Sequence, residues 1–210
     1  MKNIFKIRNQ SFKRGALLIE VLVALAIFGV VLIALGAFQV NVFSYKNSIS
    51  ETLQTSQNAQ TILKTMLVEL REMAPGANGA YPIAAAGSTT LSFFSDYDND
   101  GLTEKITYTL MGTIMYRATI EPTGNPVVYS LANQATSTIF IGIANGNTLP
   151  VFQYFDANYT GTSSPLALPV SITKIKLIRV NEKMDISPDK APVPVIYTVQ
   201  AGLRNLKDNL

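Results

Sequence analysis

Residues 13–38 read KRGALLIEVLVALAIFGVVLIALGAF, and how this stretch is taken decides the rest of the chain. From Ala16 to Phe38 every residue but one is apolar or glycine. As a helix rising about 1.5 Å per residue, Val21 to Phe38 covers about 27 Å, close to the ~30 Å hydrocarbon core of a bilayer. The exception is Glu20. A carboxylate inside a membrane helix costs on the order of 2.5–3.5 kcal/mol, so such residues usually have a partner and a function. Glu20 therefore asks for a cation.

The charge pattern around this stretch is lopsided. Five of the 17 basic residues (Lys2, Lys6, Arg8, Lys13 and Arg14) and none of the 14 acidic ones precede Ala16. Without that leader the chain keeps 12 basic against 14 acidic residues, a net charge of −2 in place of +3. A chain with that balance has no general attraction for nucleic acid phosphates. Positive residues flanking an apolar helix stay on the cytoplasmic side, which places everything after about Phe38 outside. There is no Cys and no His among the 210 residues. Disulfides are excluded even in an oxidising compartment, and so are histidine-based triads and most zinc sites. Enzymatic function is not expected.

Basic residues, then Gly15, then a neutral stretch with Glu20 at its fifth position and further apolar residues behind it, closely resemble the processing and assembly signal of type IV pilins and type II secretion pseudopilins. Ala16 stands where Phe is usual and Leu17 where Thr is usual, both neutral and small or apolar. The resemblance covers the first 30 to 60 residues. It implies that a prepilin peptidase cuts after Gly15 and methylates the new terminal amine, that of Ala16. It implies also that Glu20 pairs with the N-terminal amine of a neighbouring subunit, which supplies the missing cation. The absence of cysteine and the size of the exported part point, within the family, to a minor pilin-like protein. The ending Leu203-Arg204-Asn205-Leu206 is similar to that of some such proteins. The partners implied are other pilin or pseudopilin subunits, the peptidase, an inner-membrane assembly platform, and the membrane itself before assembly.

From Ala16 to about Ala74 no Pro occurs and Gly29 and Gly36 are the only glycines, so one helix over that span is expected. Apolar residues recur at helical spacing in its second part (Val42, Ile49, Leu53, Ile62, Leu63, Met66, Leu67 and Leu70), and the set from Ile49 to Leu70 is expected to be core. Gly29 and Gly36, seven apart, fall near one helical face where a neighbouring helix can approach closely. Pro75-Gly76 ends the helix, and 77–90 reads as a loop.

Short runs of branched and aromatic residues then predict strands at 91–94, 106–110, 113–120, 127–131, 139–143, 151–155, 172–180 and 195–203. Ile172-Thr173-Lys174-Ile175-Lys176-Leu177 shows the clearest alternation. The expected fold class is α+β: a long N-terminal helix, membrane-spanning in its first half, packed on an antiparallel β-sheet in a pilin-like arrangement. The segments are a leader (1–15), a transmembrane or filament-core helix (16–40), an amphipathic helix (41–75) and an exported β-rich domain (76–210).

One loop stands apart: Asp96-Tyr97-Asp98-Asn99-Asp100-Gly101-Leu102-Thr103-Glu104. Three carboxylates at alternate positions before a glycine can turn several oxygens toward one hard cation such as Ca2+. The Leu102 carbonyl and Glu104 would complete the set with Asp96, Asp98 and Asp100. It is not an EF-hand, because the twelfth position from Asp96 is Thr107. A solvated turn built from good turn residues fits the same pattern. Tyr45, Tyr81, Tyr97, Tyr116, Tyr129 and Tyr159 are scattered and are assigned no ligand role.

Three function classes follow. The first is a structural filament subunit. The second is a secreted or membrane-anchored surface binding module, for instance for carbohydrate, with Ala34-Leu35-Gly36 as a signal peptidase site. The third and weakest is a calcium-dependent hydrolase, for which no nucleophile, base and orienting group can be nominated.

Overall fold

The computed structural model describes residues 11–185 and 194–203. Most of the leader, most of the loop before Pro194 and the tail beyond Leu203 lie outside the described residues. One helix, α1, runs from Ser11 to Arg71, 61 residues. The chain divides into two compact units at Ser50/Glu51.

The first unit is helical throughout its described length. Leu17–Phe43 forms 27 residues whose mean hydropathy reaches 3.0 over an 18-residue window, none of them buried, long and apolar enough to cross a membrane. A signal sequence near an N-terminus has the same properties.

The second unit holds the last turns of α1 and eight strands. Here the helix has a face to bury: Ala59, Leu63, Met66 and Leu70 recur at helical spacing and are at most 2 % exposed. The expected core set begins too early, because Ile49 and Leu53 are more than half exposed. Helical spacing shows that a face exists but not where along the helix a core lies against it.

Five strands form one antiparallel sheet in sequential order: β1 (Ile83–Ala86), β2 (Thr90–Ser95), β3 (Glu104–Met111), β4 (Ile114–Ile120) and β5 (Ala135–Ile141). The β3–β4 connection is two residues, Gly112-Thr113, with Gly112 at φ 62° where a side chain would be strained. A second antiparallel sheet of three strands comprises β6 (Phe152–Phe155), β7 (Leu177–Met184) and β8 (Val195–Gly202). Two antiparallel sheets therefore stand where one was expected. They share one core: Phe93, Ile106 and Tyr108 from the first belong to the same cluster as Phe152, Ile178 and Val180 from the second. The architecture is mixed helix and sheet, in agreement with α+β.

Three local expectations need correction. The 127–131 run is not a strand: Val128 makes a single bridge to Thr123, and Leu131–Asn133 is a 3-10 turn capped by the Ser130 hydroxyl. Pro122 precedes that bridge and Pro126 lies in the turn it closes, and neither can donate to a ladder. Ile172–Lys174 is also a 3-10 turn, and β7 starts only at Leu177. The buried positions Ile175 and Ile178 are three apart, so the apparent alternation through Lys174 was not a strand face. Within the expected loop 77–90 lies β1, whose IAAA sequence carries almost no β-branched signal.

Candidate functional site

The sequence-predicted residues fall in two places, one in each unit. Gly15 and Ala16 lie within the helical run, and Glu20 follows one turn later with its side chain exposed among exposed apolar neighbours such as Leu17, Ile19 and Val21. Among the described residues Glu20 has no hydrogen bond or ion pair. A Cβ added at Gly29 or Gly36 would meet nothing within 4 Å, so neither glycine is required by a contact within the chain.

The acidic loop connects β2 to β3. It turns through two left-handed positions, Asn99 at φ 62° and Gly101 at φ 90°, the conformation that Asn and Gly adopt most readily. Asp96 shapes the turn: its Oδ1 accepts from the Asp100 amide at 3.1 Å and its Oδ2 from the Gly101 amide at 3.1 Å. Asp98 Oδ1 accepts from the Asp100 amide at 3.2 Å. Asp100 Oδ1 accepts from the Leu102 amide at 2.8 Å, a local Asx-type contact. Of the expected set, Asp96, Asp98 and Glu104 come together, each offering one carboxylate oxygen within 4.8 Å of the others. Asp100 is not part of that group; its carboxylate is used in building the turn.

Glu104 was expected on the loop, but it is the first residue of β3 and sits on the core face with Ile106 and Tyr108, wholly buried. Its Oε2 accepts from the Tyr97 amide at 3.3 Å, and its Oε1 is buried without a hydrogen bond. Burial pushes its carboxyl up to about 7, opposed by the backbone amides of Glu104 and Tyr97 and reinforced by the charges of Glu121 and Asp98. Directly opposite on β2 is Ser95, also wholly buried, whose Oγ likewise has no hydrogen bond.

Behind the loop lies a paired network that the sequence pattern did not single out. Glu69 on α1 is buried and accepts from the Tyr108 hydroxyl at 2.5 Å; its other oxygen accepts from Arg117 Nε at 3.1 Å and Nη2 at 2.8 Å. Burial, then Glu69, raises the Tyr108 hydroxyl. For Arg117 burial works downward, but the Glu69 hydrogen bond and charge outweigh it and the guanidinium is held above its ordinary value. Arg117 also lies 4.6 Å above the Tyr97 ring. Tyr129 anchors the loop's exit, donating to the Thr103 carbonyl at 2.6 Å and accepting from the Ala77 amide at 2.9 Å, while Thr103 Oγ1 donates to the Pro75 carbonyl at 3.1 Å.

Tyr97 and Tyr129 thus have structural roles. The signal for Glu104 and Ser95 was present in the alternation Leu91-Phe93-Ser95 and Glu104-Ile106-Tyr108, which places both polar residues on apolar faces. No protein-family model matches the chain, and no curated protein matches it in sequence.

Proposed function

We propose that the protein is a structural subunit of a membrane-anchored filament of the type IV pilus or type II secretion kind, in the role of a minor pilin-like component. The observation that carries this is Glu20: a carboxylate in an apolar 27-residue helical stretch that begins two residues after Gly15 of Lys13-Arg14-Gly15, with no partner among the described residues. The precursor sits in the cytoplasmic membrane with its basic end inside and its β-rich part outside. Cleavage after Gly15 frees the amine of Ala16. The Glu20 carboxylate of one subunit pairs with such an amine on the next, which offsets the cost of a charge in the apolar layer and sets the axial register.

The competing reading, a secreted binding module cut after Gly36, draws support from the small residues Ala34 to Gly36 at the end of an apolar segment near the N-terminus. Against it, Glu20 would then interrupt the signal's apolar region to no purpose. Intact-mass and N-terminal peptide analysis of the mature protein from membrane and sheared-surface fractions separates them. An N-methylated Ala16 start is expected. A start at Ala37 would establish the secreted module instead, and an uncut Met1 would leave a plain membrane anchor.

A further inference from the structure

Three residues of the described chain carry buried side-chain oxygens without hydrogen bonds: Ser95, Glu104 and Glu182. Two of them face one another. Ser95 and Glu104 are register partners at the end of the β2–β3 pair, so their side chains emerge on the same side of the sheet. The two pairs next along that face, Phe93 with Ile106 and Leu91 with Tyr108, are buried core residues. A sheet face that is apolar for two rungs and then carries a buried carboxylate and a buried hydroxyl, each with an unused oxygen, is costly unless something polar meets them there.

We propose that this end of the sheet and the loop above it form a calcium site, with Asp96, Asp98 and Glu104 as ligands and the Ser95 hydroxyl placed to hold a metal-bound water. Oxygens bound to one calcium ion at 2.3–2.6 Å lie no more than about 5 Å apart. The three carboxylates meet that condition with a 4.8 Å limit. A solvated turn accounts for Asp100, which closes on the Leu102 amide, but it gives no reason for a wholly buried Glu104 with a free Oε1.

Among the described residues no protein cation takes that place. Arg117, the guanidinium over Tyr97, gives both its Nε and Nη2 to Glu69. Lys105 lies on the opposite face of β3 from Glu104. All-oxygen donors suit either hard cation, and calcium is favoured over magnesium because they come from a short turn and a strand end, an irregular set. Magnesium demands near-octahedral geometry and keeps most of its own water.

The hydrogen bonds of Asp96 to the Asp100 and Gly101 amides consume only part of its acceptor capacity and fix its orientation in advance. The site also has a structural consequence. Thr103, one residue before Glu104, ties the loop to the Pro75 carbonyl, and Tyr129 ties it to Ala77. A bound ion would therefore fasten the β2–β3 loop to the segment that follows α1, in a chain with no cysteine for a disulfide. This inference is independent of whether the chain is a filament subunit.

The test uses the full chain in detergent micelles, stripped with EGTA and titrated with calcium chloride by calorimetry, with magnesium chloride as control. Terbium luminescence excited through Tyr97 is the second readout. One ion per chain is expected, with a midpoint between about 10⁻⁴ and 10⁻³ M, the range of extracellular modules. Glu104→Gln and Asp98→Asn should each weaken binding at least tenfold, while Asp156→Asn, an acid in another loop, should leave it unchanged.

Thermal unfolding guards against a folding artefact. Glu104→Gln should be at least as stable as wild type without calcium and should lose the calcium-induced rise in Tm. No heat and no terbium signal from wild type would overturn the proposal, as would a calcium response that survives in both variants.

Discussion

Glu20 and Glu69 belong to the same helix and are treated in opposite ways. Glu69 is 6 % exposed and meets a hydroxyl and a guanidinium from two neighbouring strands, so its charge is answered within the chain. Glu20 is exposed among apolar side chains and no group of the described chain answers it. A carboxylate satisfied by its own fold is a structural element. One left in an apolar segment without a partner among the described residues fits the proposed role in assembly, in which the compensating charge comes from another molecule. The two acids divide the helix by purpose better than its hydrophobicity does.

The largest effect should come from breaking the answered acid. Arg117→Ala leaves Glu69 buried with only the Tyr108 hydroxyl, and removing one partner of a buried pair costs on the order of 3–5 kcal/mol. Chemical denaturation followed by tyrosine circular dichroism measures it. A loss below about 1 kcal/mol would place the pair with ordinary surface ion pairs and erase the contrast with Glu20.

Glu182 extends the comparison to an acid that is buried but has neither oxygen hydrogen-bonded. Burial raises its carboxyl from 4.5 to about 7. The folded chain therefore binds this proton more tightly than the unfolded chain does. Stability is full below 4.5, falls as pH rises toward 7, and levels off above, by roughly 3 kcal/mol for such a shift. Glu182→Gln should flatten that part of the profile and gain stability at pH 8, read as the difference between the two unfolding curves. Equal slopes in both proteins would mean that the side chain finds a partner in solution.

How legible these acids were from sequence follows from the same contrast. Glu20 stood out because its surroundings are uniform for a whole membrane width, so one charge breaks the pattern visibly. The helix, the β3–β4 hairpin and the strand around Phe93 were equally plain, since each has a strong local period. Glu69 was hidden: its partners Tyr108 and Arg117 are distant in sequence and meet only through strand register. The division into two sheets was hidden for the same reason. In the acidic loop the residue types were legible, but which carboxylates converge was not, because Asp100 is diverted by a backbone amide only one residue beyond its neighbour Gly101.

Glu20→Val sharpens the other side of the comparison. The substitution removes a charge from an apolar segment, so membrane insertion and cleavage after Gly15 should continue and the second unit should unfold as in wild type. Incorporation into sheared filaments should fall about tenfold, equivalent to about 1.4 kcal/mol. Normal incorporation would mean that Glu20 needs no partner and would remove the charge pairing from the mechanism.

The smallest effect belongs to the glycines. Gly29→Ala adds a methyl that meets nothing within 4 Å, and in a helix interior alanine is favoured over glycine by up to about 1 kcal/mol. The isolated subunit should therefore be unchanged or slightly more stable to heating. If the glycine exists for close approach by a neighbouring helix, the same methyl should lower incorporation into filaments even as the subunit gains stability. Opposite signs in the two assays would place Gly29 with Glu20, as a residue whose purpose lies outside its own chain. Gains in both would make it an incidental glycine in an apolar helix, leaving Glu20 alone as the residue proposed to act in assembly.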